Sequence, residues 1–131
     1  MIEHFSPPVA HAKIPPLSLA SKVGDMVFIS GTPGYDENME LSPSFEKQFS
    51  IALRSFIEML EKTGCTTDTI VKINVFLTRP SDIAEMNRQY ALAFGPAPYP
   101  ARTTVIVRGL PDPEMLVELD CIAMTKASQK R

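Results

Sequence analysis

Apolar residues recur through the middle of the chain with a helical period. Phe45, Phe49, Ala52, Leu53, Phe56, Ile57 and Leu60 fall at i, i+4, i+7, i+8, i+11, i+12 and i+15, the stripe that one side of an α-helix presents to a core. Ser42 offers an N-cap oxygen, Pro43 a first helical residue whose missing N–H costs nothing there, and Gly64 a terminator. A second helix is predicted after Arg79-Pro80, capped by Ser81 or Asp82, with Ile83, Met86, Tyr90 and Phe94 on its buried face and Gly95-Pro96 at its end.

Elsewhere the period drops to two. Val71, Ile73, Val75 and Leu77 alternate with Lys72, Asn74, Phe76 and Thr78, a strand between the helices. Upstream, runs at 17–21 and 26–30 flank Lys22-Val23-Gly24-Asp25 and predict a hairpin that ends in an irregular Gly31-Thr32-Pro33-Gly34 loop. Downstream, a run opened by Arg102 turns back through Val117 and predicts a second hairpin. The first sixteen residues hold four of the twelve prolines and read as an extended surface lead-in.

The order β-β-α-β-α-β-β describes an α+β sandwich of two layers, a mixed sheet with both helices on one face. At 131 residues the chain is expected to form one domain, 1–131, with no element left to cover the other sheet face. That predicts an oligomer packing sheet against sheet.

Composition narrows the function. Hydrophobic residues make up 44%, which excludes a disordered chain, and thirteen basic against fifteen acidic residues leave a charge of −2. Without a basic surplus, nucleic-acid binding is not expected. No apolar run approaches the roughly 20 residues of a membrane span, and the start "MIEHFSPPVAHAK" is too polar for a signal peptide, so a cytoplasmic protein with no membrane partner is expected. Cys65 and Cys121 lack metal-type spacing and read as free thiols; His4 and His11 read as solvated lead-in residues.

The second predicted hairpin carries the candidate chemistry. Arg102, Thr104 and Ile106 share one face of their strand, and Glu118 and Asp120 share a face of the return strand. With the turn centred near Leu110, Arg102 falls opposite Glu118 and Thr104 opposite Leu116. A guanidinium grips a carboxylate through two charge-assisted hydrogen bonds. A neighbouring glutamate can orient or deprotonate water, and the threonine can hold it. The same pattern equally describes a cross-strand ion pair worth about 0.2–1 kcal/mol, and Asp120 reads as structural.

Five segments together resemble the Rid family of reactive intermediate deaminases, also called the L-PSP endoribonuclease family. They are "VGDMVFISGTPG", residues 70–77, "MNRQYALAFG" at 86–95, "PARTTVIVRGLP" at 100–111 and "VELDCIAM" at 117–124, so nearly the whole chain is covered. The resemblance implies a chorismate-mutase-like fold assembled as a homotrimer with clefts between subunits. It implies hydrolysis of small 2-imino or 2-enamino acids, such as 2-iminopropanoate, to 2-oxo acids and ammonia without metal or organic cofactor. By the same resemblance Arg102 is the carboxylate-binding arginine and Glu118 the glutamate associated with water. Gly31 belongs to the substrate-binding loop, and Asn87 matches the asparagine of the second helix.

The chain departs from the family pattern in three places. Leu17 stands where imine deaminases carry a tyrosine, which removes a ring and hydroxyl from the substrate-binding cleft. Thr104 replaces a cysteine or serine but keeps a hydroxyl, and Gly31-Thr32-Pro33-Gly34 replaces a Gly-Gln-x-Pro pattern. The expected function is therefore an imine deaminase using Arg102, Glu118 and Thr104. Three alternatives remain at this stage: a deaminase of a larger enamine such as 2-aminomuconate, a non-catalytic carboxylate-binding or chaperone-like trimer, and a ribonuclease, which the charge balance disfavours.

Overall fold

A computed structural model describes residues 1–127. The elements run β1 (Glu3–Phe5), β2 (Ala20–Val23), β3 (Met26–Thr32), α1 (Phe45–Lys62), β4 (Ile70–Leu77), α2 (Ile83–Phe94), β5 (Ala101–Ile106) and β6 (Val117–Met124). They form a single six-stranded sheet in the order β1-β2-β3-β6-β4-β5. Every pairing is antiparallel except β4 with β5, so the sheet is mixed.

α1 forms where the apolar stripe places it. Phe49, Ala52, Phe56 and Leu60 are fully buried against Val27, Ile73, Val75, Leu77, Val117, Leu119 and Ala123 from the sheet. Met86, Tyr90 and Phe94 of α2 join the same core, so both helices lie on one sheet face. Each large side chain buried this way contributes about 1.5–3 kcal/mol. Gly64 ends α1 with φ +86°, a conformation costly for any residue with a β-carbon. The cap is Ser44 rather than Ser42: its hydroxyl accepts from the Lys47 amide, while Ser42 Oγ accepts from the Ser44 amide one step earlier.

Three further expectations are corrected. The lead-in is not wholly extended coil, because Glu3–Phe5 pairs with β2 as the outer strand. Val71 is 47% exposed and Ile83 37% exposed rather than inward-facing. A register shift between Ile70 and Lys72 turns Val71 outward, and Ile83 is the first residue of its helix. Asp82 sits at the cap position of α2 but makes no cap hydrogen bond; its carboxylate instead grips Arg79 at 2.7 and 3.1 Å.

The largest correction concerns the Arg102 hairpin. β5 and β6 are not partners, because β4 lies between them, parallel to β5 and antiparallel to β6. Arg102 pairs with Ile73, and Glu118 pairs with Phe76. The connection 107–116 is long enough to step over a strand. It stays tied to the end of β4 on both sides, with the Val107 amide donating to Leu77 O and the Thr78 amide donating to Leu116 O. Buried Gln48 of α1 pins the far end of that connection, accepting from the Leu116 amide at 2.7 Å and donating to Glu114 O and Ser42 O.

Candidate functional site

The sheet alternation decides where each candidate residue lies. In β6, Val117, Leu119, Cys121 and Ala123 enter the core, so Glu118 and Asp120 emerge on the face without helices. In β5, Arg102 and Thr104 pair with core-facing Ile73 and Val75, and they lie on the helix side. Arg102 and Glu118 therefore occupy opposite faces of one sheet. They are two strands apart and offset by three residues, about 10 Å across and about 10 Å along the sheet.

Glu118 lies in a cavity of about 800 Å³. The cavity also takes in Leu17 and Gly31, so three of the six candidate residues share one site. A β-carbon at Gly31 would overlap the Glu118 carboxylate, coming within 2.6 Å of its Cδ. Glycine is needed there for space. Among the described residues the Glu118 carboxylate shows no hydrogen bond and no ion pair. Burial, and then the charge of Asp120, push its pKa above the ordinary value of 4.5. Asp120 is itself held by Asn74, whose amide donates to Oδ1 at 2.8 Å across the β4–β6 pairing.

Arg102 and Thr104 lie apart from that cavity, on the helix side of the edge strand β5. The Arg102 guanidinium lies 4.7 Å from the centre of the Tyr90 ring, a cation–π contact, with Met86 Sδ 3.6 Å from Nη1. Asn87 is exposed on α2, three residues before Tyr90. The hydroxyls of Thr104 and Tyr90 are both buried and without a hydrogen-bond partner among the described residues. Buried hydroxyls are ordinarily paired, so these two are available to a further group. Arg102 is in no ion pair among the described residues. One side of the sheet thus presents a guanidinium lacking a carboxylate, and the other a carboxylate lacking a cation.

Sequence reasoning passed over a second feature of the cavity. Tyr35 donates its hydroxyl to Asp112 Oδ2 at 2.8 Å, and Lys13 Nζ stands 5.7 Å from the centre of the Tyr35 ring. Lys13 also donates to Met39 O at 2.8 Å. Burial, then the Asp112 acceptor, push the Tyr35 pKa up to about 12, whereas the Glu114 amide, followed by Tyr35, lowers that of Asp112. These residues come from three separate connections and carry no shared motif. Neither cysteine takes part: Cys65 and Cys121 are free and buried, and burial raises both thiol pKa values. Among the described residues no three His, Cys, Asp or Glu side chains cluster as a metal site would require. No helix there is long and apolar enough to cross a membrane.

The sequence matches the family described as Endoribonuclease L-PSP over residues 9–125. The chain belongs to the Rid/L-PSP family. Relatives of this Rid/L-PSP chain include Reactive Intermediate Deaminase A of the Arabidopsis thaliana chloroplast, 35% identical over 87% of this chain and 61% of that protein. The 2-iminobutanoate/2-iminopropanoate deaminase of Dermatophagoides farinae is 30% identical over 92% of this chain and 94% of its own length. Among solved structures, RidA from the Antarctic bacterium Psychrobacter sp. PAMC 21119 superposes with a TM-score of 0.81 at 35% identity, covering 94% of this chain and 97% of that one. Yeast Mmf1 superposes with a TM-score of 0.82 at 29% identity, covering 95% and 99%. The α+β fold of two helices on a mixed six-stranded sheet is that of the RidA structures.

Proposed function

We propose that this Rid/L-PSP chain hydrolyses 2-imino and 2-enamino acids to 2-oxo acids and ammonia, in clefts that neighbouring copies of a homotrimer complete together. The observation that carries the reading is the unmatched pair on opposite sheet faces, Arg102 without a carboxylate and Glu118 without a cation. In this reading the two faces satisfy each other between copies, in a head-to-tail contact that gives a ring when its rotation closes. The face that bears Glu118 also leaves Phe28 and Val105 about 40% exposed, apolar surface that a second copy would cover. The named activities of the Arabidopsis and Dermatophagoides relatives point to the same chemistry.

In this mechanism Arg102 of one copy takes the substrate carboxylate through its two-pronged fork. Glu118 of the next copy orients water on the iminium carbon and accepts its proton as the C–O bond forms. The carbinolamine then returns a proton to nitrogen, the C–N bond breaks, and the 2-oxo acid leaves with ammonium. The balance is R–C(=NH₂⁺)–COO⁻ plus water giving R–CO–COO⁻ plus NH₄⁺. Thr104 holds the water or the departing nitrogen with its unpaired hydroxyl, Asn87 and Gly31 border the cleft, and Leu17 lines it. Orientation with acid–base assistance supplies about 10²–10⁴-fold.

The test is accelerated loss of 2-iminopropanoate and 2-iminobutanoate, generated by an amino-acid oxidase and followed by trapping residual imine. The wild-type chain should accelerate hydrolysis, and Arg102→Ala and Glu118→Gln should each remove at least about 100-fold of kcat/KM. Undiminished turnover in both variants would sink the assignment.

A further inference from the structure

The cavity that holds Glu118 is far larger than a three-carbon imino acid needs. At about 800 Å³ it falls in the upper part of the range for drug-sized ligands. Its polar groups include Glu118 and the Tyr35–Asp112 pair with Lys13, and the Glu118 charge is felt at Tyr35. Much of the remaining lining is apolar, with contributions from Ile14, Pro15, Leu17, Leu19, Met39 and Met115.

The cavity lining around Tyr35 is fastened across three connections. Lys13 belongs to the proline-rich segment before β2, and its amide donates to His11 Nδ1 at 3.0 Å, which sets the local turn. Its ammonium is committed to Met39 O and the face of Tyr35. The Tyr35 hydroxyl is committed to Asp112 in the β5–β6 connection. The chain segments around the cavity are thereby closed by one clasp, with the Tyr35 ring as part of its wall.

Charge sets the sign of the selectivity. Two carboxylates, Glu118 and Asp112, border the cavity against one ammonium, Lys13, which is already engaged. A second acidic group on the substrate would meet net negative charge with no free cation to receive it. An apolar side chain meets wall that is otherwise in water.

We propose that the cavity selects 2-imino acids bearing a branched aliphatic, thioether or aromatic side chain, seated along Leu17 toward a Tyr35 wall that Asp112 and Lys13 hold in place. This rests on the deaminase reading for its reaction but not for its binding preference. Each methylene placed in an apolar pocket is worth about 10-fold or more in discrimination.

Two measurements test it. In the first, imines generated from alanine, leucine, methionine, phenylalanine and aspartate are compared by kcat/KM. The leucine, methionine and phenylalanine derivatives should exceed the alanine derivative by at least about tenfold, with the aspartate derivative slowest. In the second, calorimetry follows 4-methyl-2-oxopentanoate, pyruvate and oxaloacetate binding to the wild-type chain and to Leu17→Tyr and Tyr35→Phe. The branched oxo acid should bind at least about tenfold more tightly than pyruvate. Leu17→Tyr, by filling the wall, and Tyr35→Phe, by freeing it from Asp112, should each reduce that ratio, with unaltered circular dichroism confirming the fold.

Equal or reversed ratios in binding and turnover would overturn the selectivity while leaving the deaminase reading intact. Preference for the dicarboxylates would overturn it equally. Absence of any imine turnover together with selective binding of 4-methyl-2-oxopentanoate would sink the deaminase reading and uphold the pocket.

Discussion

The Glu118 carboxylate lies where the β-carbon of any residue other than glycine would stand at position 31. The contact joins the irregular end of β3 to the open face of β6, and it lets a half-buried carboxylate rest directly on backbone. Gly31→Ala should therefore displace Glu118 rather than unfold the chain, because the carboxylate is the far end of a flexible side chain. A displacement near 1 Å at a reacting group costs about 100-fold. The expected outcome is at least about a 100-fold loss of kcat/KM with a melting temperature within a few degrees of wild type. Full activity in this variant would remove Glu118 from the site.

If Arg102 and Glu118 act from different copies, two inactive variants should repair each other. Arg102→Ala subunits retain Glu118, and Glu118→Gln subunits retain Arg102. Mixed at equal amounts, unfolded and reassembled, they should place an intact Arg102 beside an intact Glu118 at about one site in four of a head-to-tail ring. Turnover near a quarter of wild type is expected from the mixture and none from either variant alone. A mixture as inactive as its components would put both residues in one subunit's site.

Asp120 supplies a pH prediction. Burial first, and Asp120 second, raise the Glu118 pKa above 4.5. A general base works only when ionised, so the acid limb of kcat/KM should lie above pH 4.5 and activity should fall as pH drops through it. Asp120→Asn removes the repelling charge while leaving an oxygen to accept from Asn74. The limb should then move to lower pH, though not all the way, since the burial contribution stays. A limb that does not move, or moves upward, would show that another group governs it.

The elements whose evidence is local were legible in the residues themselves. α1 declares itself through seven apolar positions at helical spacing, and the β2–β3 hairpin through Gly24-Asp25, with Gly24 at φ +58°. The position of β5 was not legible, because alternation reports which face a side chain takes and says nothing about which strand lies beside it. A connection of ten residues permits β4 to intervene, and the pairing of Arg102 with Glu118 disappears with the hairpin. The alternation within each strand survived, but the shared face expected for Arg102 and Glu118 did not, since the two lie on opposite faces of the sheet. β1 is too short, at three residues, to show a period. Leu17, Gly31 and Glu118 meet in one cavity although no spacing in the sequence links them; resemblance had singled them out. Tyr35 and Asp112 stand 77 residues apart, and only the folded chain brings them together.

Gln48 shows how an interior polar residue can set the site from a distance. It lies on α1, fully buried, and its side chain takes the Leu116 amide at 2.7 Å and gives hydrogen bonds to Ser42 O at 2.8 Å and Glu114 O at 3.2 Å. These bonds anchor the connection that carries Asp112 and Met115 to the cavity and aligns β6 at its first residues. Gln48→Ala leaves the partners buried without a replacement, at about 1–3 kcal/mol for each group that water cannot reach. A loss of about 2–4 kcal/mol follows if relaxation re-satisfies some of them, enough to lower Tm by roughly 10 °C in a chain of this size. Hydrogen exchange should rise first in residues 107–116, ahead of the β3–β6 pairing, because the helix and the central strands keep their own contacts. A stability change below about 1 kcal/mol, with exchange at 107–116 unaltered, would mean that the tie to Leu77 and Thr78 holds the connection without help from the helix.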